Sequence, residues 1–93
     1  MKNIEVIENF INGDTKGNTQ HLKIEDNNLI NYTTVIARRI NGKIYLNATK
    51  YSQTTSKIQN MIRKSTQSKL LIEVTSQEIM TITELQPVKT IAA

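Results

Sequence analysis

Hydrophobic positions come in short bursts whose spacing changes along the chain, and those changes set the predicted elements. Ile4, Ile7 and Ile11 recur at spacings of three and four with Phe10 alongside, one stripe of a short helix within 1–13. Asn12-Gly13 supplies its stop, since glycine takes the left-handed position after a helix at little cost. Asp14 to Gln20 is polar around Gly17 and reads as a mobile connection. Leu22 and Ile24 then alternate with polar neighbours, a strand ending at Asp26-Asn27-Asn28.

Asn41-Gly42 lies between two runs rich in β-branched and aromatic residues and reads as a two-residue type I′ hairpin turn, because both turn positions need positive φ. That turn sets a register in which Ile40 faces Lys43, Arg39 faces Ile44, Arg38 faces Tyr45, Ala37 faces Leu46, Ile36 faces Asn47 and Val35 faces Ala48. Alternation sorts the pairs into an apolar core face of Val35, Ala37, Ile44, Leu46 and Ala48, and an outer face of Tyr32, Ile36, Arg38, Lys43, Tyr45 and Asn47. The outer face mixes cations with aromatic rings.

From Ser52 to Thr66 the period becomes helical, with Thr55, Ile58, Met61, Ile62 and Ser65 on a narrow stripe and Ser52 as the expected N-cap. The opposite surface presents Gln53, Lys57, Asn60 and Lys64, flanked by Ser56, Gln59 and Arg63, with no acid among them. Helices that only face water usually alternate Glu with Lys, so such a face suggests a partner. Farther on, Leu70, Ile72 and Val74 alternate, and Ile79, Thr81 and Thr83 alternate again after Ser76-Gln77, which predicts two strands. A helix over Gln77 to Leu85 competes for the second of them, and Pro87 ends either version.

The elements together predict an α+β fold in a single domain over 1–93: the N-terminal helix, an antiparallel sheet over 20–50, a helix over 52–67 packed on the Val35/Leu46 face, C-terminal strands over 70–84 and a loose tail over 87–93. A length of 93 residues suits one core and no more.

Charge changes the picture more than composition does. Between Asp26 and Glu73 there is no acid, yet Arg38, Arg39, Lys43, Lys50, Lys57, Arg63, Lys64 and Lys69 all fall there, a net +8 against +4 for the whole chain. The flanks therefore carry −4, and the central segment predicts an anionic partner, although solubility alone would also account for mild basicity. The chain has no Cys and a single His, His21, so neither a zinc centre nor any other bound metal or cofactor is expected. Its acids sit in the flanks and a loop, no Gly-x-Ser-x-Gly elbow occurs, and the three glycines form no phosphate-cradling loop. A non-enzymatic protein is expected. No apolar run reaches a membrane span or a secretory h-region, and the absence of Cys suits a reducing cytoplasm.

What remains is a basic, aromatic-flecked sheet face followed by a basic helix. The candidate binding residues are Arg38, Lys43 and Tyr45 on the sheet and Lys57, Asn60, Arg63 and Lys64 on the helix. Nucleic acid would use them with Lys and Arg on phosphates, Asn and Gln on base edges, and Tyr for stacking. An acidic protein surface, or a protein's own nucleic-acid groove, makes the same request of these residues. Cross-strand packing is an equal alternative for Tyr32, Tyr45 and Tyr51.

The run from Leu22 to Tyr32, then Ile36-Ala-Arg38, then Gly42 to Gln59 with Tyr51-Ser-x-Thr-Thr-Ser-x-x-Gln59 as its motif core, resembles a small domain of phages and mobile elements of Gram-positive bacteria. Some proteins of that context are similar to anti-CRISPR inhibitors. The resemblance spans about half the chain and implies a protein that occupies a site on a CRISPR effector or another defence protein in a bacterial cytoplasm. Asn47-Ala-Thr-Lys50, after a strand and before a helix, resembles the phage KilA-N DNA-binding domain, without the aromatic-rich pattern expected after that family's helix. The alternative is a DNA- or RNA-binding regulator using the same basic sheet and helix surface.

Overall fold

The computed structural model describes residues 2–81. It is α+β: α1 (Asn3–Ile11), β1 (Lys16–Asn18), β2 (Leu22–Glu25), β3 (Asn28–Asn31), β4 (Thr34–Ile40), β5 (Lys43–Asn47), α2 (Gln53–Ser65), a 3₁₀ turn at Ser68–Leu70, β6 (Leu71–Val74) and α3 (Ser76–Thr81). The strands form one sheet in chain order β1 to β6, antiparallel except for β6, which runs parallel to β5. A parallel neighbour needs a crossover, and α2 is that crossover.

Local chemistry accounts for the ends of the elements. Glu5 accepts from the Lys2 amide at 2.6 Å and opens α1, whereas Gly13 at φ +105° closes it, its amide donating to the Phe10 carbonyl. Asn41 and Gly42 take φ +53° and +79°, the type I′ turn expected, and the pairs Ile40/Lys43 through Ala37/Leu46 follow in the predicted register. Ser52 caps α2, its hydroxyl accepting from the Thr55 amide at 3.2 Å.

Two clusters fill the interior, one on each face of the sheet. Val6, Ile7 and Phe10 of α1 and Ile58 and Ile62 of α2 pack on Leu22, Ile24, Leu29, Ile36, Ala37, Ile44 and Leu46. On the other face, Ile79 of α3 closes over Ile40, Tyr45 and Val74, with Val35 and Ile72 at the edge.

The structure departs from the sequence expectations in several places, and Ala48, expected on the core face, is exposed. The polar stretch expected as a loop contains β1, a short edge strand, and Asn28 begins β3 rather than ending β2. Val35 does not share a face with Leu46. The β3–β4 pairing slips between Leu29 and Ile30, leaving Ile36 as an extra residue, so Ile36 enters the main core and Val35 turns to the α3 side. The expected pair of C-terminal strands is one strand, β6, followed by α3. Thr75 and Glu78 form a capping box, with the Glu78 amide on the Thr75 hydroxyl at 3.1 Å and the Thr75 amide on the Glu78 carboxylate at 2.8 Å, and this commits the chain to a helix. Residues 82–84 of the expected strands, the Pro87 stop and the 87–93 tail lie outside the described residues.

Candidate nucleic-acid interface

The cations of the central segment divide into two groups. The arginines are engaged within the fold. Arg39 donates to the carbonyls of Phe10, Asp14 and Asp26 and to Asn27 Oδ1, and its guanidinium lies 5.0 Å from the Phe10 ring centre. Partial burial lowers its pKa from the ordinary arginine value, and the Asp14 charge opposes that shift. Arg38 ties β4 to β3 and α3, donating to Asn28 Oδ1 at 2.9 Å and to the Ile79 carbonyl at 3.1 Å. Arg63 forms a two-pronged contact with Glu73 at 3.0 and 3.3 Å and donates to Asn60 Oδ1 at 2.8 Å.

Lys43, Lys50, Lys57, Lys64 and Lys69 are exposed, and none of them forms an ion pair among the described residues. Lys57 and Lys64 lie seven residues apart on α2, two helical turns, so they point the same way. Gln53 and Asn60 fall within the same arc of about 60° at 100° per residue. The stripe from Gln53 to Lys64 is about 16 Å long, and α2 contains no acid. Glu73 of β6, which reaches α2, is paired with Arg63.

Tyr45, expected on the exposed sheet face, is 5% exposed beneath α3. Tyr45 lies on the face that alternation predicts, but α3 covers that face. The candidate set therefore does not come together: Lys57, Asn60, Arg63 and Lys64 share α2, Lys43 stands at the hairpin turn, and Arg38 and Tyr45 are drawn under α3.

The polar motif from Tyr51 to Gln59 is structural in most of its members. Gln59, expected at the edge of the polar face, is 4% exposed and donates to the carbonyls of Asn47 at 2.7 Å and Thr49 at 2.9 Å. Asn47, 1% exposed, donates to the Val35 carbonyl and the Tyr51 hydroxyl and accepts from the Thr49 amide. Thr55 donates to Asn31 Oδ1 at 2.8 Å. These buried amides and hydroxyls are satisfied by one another and by backbone, and they fix the angle at which α2 leaves β5. The outward arc of α2 is thus held by a network on its inward arc.

Among the described residues no three His, Asp or Glu side chains converge as a metal site would require, and no helix is long and apolar enough to cross a membrane. No protein-family model, curated protein or solved structure matches this chain.

Proposed function

We propose that this protein is a non-enzymatic binding module, working in the cytoplasm of a bacterial host, that grips duplex nucleic acid through the acid-free face of α2. The observation that supports this reading is the stripe of Gln53, Lys57, Asn60 and Lys64 on a helix with no carboxylate. A helix with its side chains is about 10–12 Å across, close to the width of a DNA major groove, about 12 Å. Lys57 and Lys64 neutralise phosphates and supply most of the affinity. Asn60, its Oδ1 already accepting from Arg63, presents its amide NH₂ outward for a base-edge acceptor. The strand-to-helix segment Asn47 to Lys50, which resembles the KilA-N domain, leads into this helix.

A second reading, an inhibitor from a phage or mobile element that occupies a site on a CRISPR effector, is supported by the resemblance of the Leu22 to Gln59 region and would use the same surface. Gel shifts with duplex and single-stranded nucleic acid, set beside a pull-down with purified effector, separate the two. Retarded duplex that is released by Lys57→Glu and Lys64→Glu, with both variants melting normally, supports the first reading. Effector capture without any shift of duplex supports the second and overturns the first.

A further inference from the structure

The other end of the sheet carries a surface of different chemistry. Alternation along β1 to β3 sends Leu22, Ile24 and Leu29 into the core and leaves Lys16, Asn18, Lys23 and Ile30 on the opposite side. α3 packs on that side over β4 and β5. Beyond it a cleft of about 390 Å³ opens among Lys16, Asn18, His21, Lys23, Ile30 and Tyr32.

Two groups at this cleft are held in a costly state, Tyr32 in the turn between β3 and β4 and His21 beside it. Tyr32 sits at φ +57°, a backbone region that glycine and asparagine favour and tyrosine avoids, yet its side chain points outward and is 57% exposed. Its ring meets the tilted ring of His21, with centroids 5.0 Å apart and planes at 49°, and more than half of the residue stays open to solvent. His21 Nδ1 is buried with no hydrogen-bond partner among the described residues. Lys16 forms no ion pair among the described residues, and the partner of Lys23 is the exposed Glu25 at 3.5 Å, a pair weak enough to exchange for another anion.

The geometry points to a binding site for one unpaired nucleotide of a single strand, with the base stacked on Tyr32 against Ile30 and the backbone phosphate between Lys16 and Lys23. Stacking on an exposed ring accepts any base, and Asn18 adds a polar contact at the base edge. Glu25 is the acid beside the site, and a phosphate drawing Lys23 away from it turns one exposed pair into another. This cleft lies on the face of the sheet opposite α2, so the inference stands apart from the duplex-binding reading.

The test uses the full chain and a short oligothymidylate carrying one central 2-aminopurine, whose fluorescence is quenched when the base stacks on a ring. Wild type should quench it. Tyr32→Asn removes the ring while suiting the left-handed backbone, and should abolish quenching and weaken binding roughly 5- to 150-fold. Lys16→Gln should lower the magnitude of the salt slope by roughly 0.7. Lys69→Gln, at an exposed lysine on neither surface, should leave the quenching intact. An unquenched probe with wild type, quenching that survives Tyr32→Asn, or quenching lost in Lys69→Gln would each overturn the assignment. Should Tyr32→Asn melt below the assay temperature, Lys16→Gln decides: an unchanged salt slope overturns the assignment and a lowered one supports it.

Discussion

Replacing Gln59 with leucine tests whether the polar motif at the start of α2 is architecture rather than an exposed face. Leucine is close to glutamine in volume, so the substitution leaves no large cavity, but it removes both donors that hold the carbonyls of Asn47 and Thr49 at 2.7 and 2.9 Å. Each lost hydrogen bond is worth about 1 kcal/mol net, and a buried carbonyl left unpaired costs about 1–3 kcal/mol. The Asn47 carbonyl lies in the buried part of this network, whereas Thr49 is half-buried and water can serve its carbonyl. The expected loss is therefore about 2–4 kcal/mol. A domain of 93 residues has only about 5–14 kcal/mol to lose, so the melting temperature should fall by about 10–25 °C. Gln53→Leu, the same change on the exposed side of the same helix, should stay within about 0.5 kcal/mol. Urea unfolding followed by far-UV circular dichroism measures both. A Gln59→Leu midpoint indistinguishable from that of Gln53→Leu would refute the assignment of Gln59 to the scaffold.

The remaining predictions concern the core, the turn and the charges. Leu46→Ala, at a residue with no exposed surface under α2, should cost about 2–5 kcal/mol in the same unfolding experiment. Gly42→Ala meets no neighbouring atom within 4 Å, so its cost is backbone strain at φ +79° alone, about 1–2 kcal/mol, read from the urea midpoint. Arg63→Gln breaks an exposed ion pair with Glu73 worth about 0–1 kcal/mol. It should barely move the melt while weakening duplex binding, because Asn60 loses the partner that orients it.

What could be read from the sequence was what short stretches decide for themselves. Asn41-Gly42 sets its own turn, Gly13 its own helix end and Ser52 its own cap, each from conformational preferences spanning a few residues. What failed depends on distant partners. Tyr45 is buried because α3, more than thirty residues farther along, folds back over it, and Arg38 reaches the Ile79 carbonyl across 41 positions. The slip at Ile36 leaves no mark in the alternation of β4, since one extra residue reverses the faces on one side of it only. The capping signature of α3, Thr75-x-x-Glu78, is present in the sequence, but Ile79, Thr81 and Thr83 also alternate as a strand would, so the local pattern alone does not decide between the two. On α2 the acid-free stripe was legible because helical spacing alone defines it, whereas the burial of Gln59 required the position of the β5 carbonyls.

Whether Lys57 and Lys64 meet phosphates is read from the dependence of duplex affinity on salt. Titrations of wild type and of the Lys57→Gln/Lys64→Gln double variant with the same duplex, over a range of potassium chloride concentrations, give two slopes of log affinity against log salt. Each phosphate contact contributes about 0.9 to the slope on duplex DNA, so the double variant should show a slope smaller in magnitude by about 1.8, with an unchanged melting temperature. Equal slopes for the two proteins would contradict the account and return the α2 lysines to the role of a solvated surface.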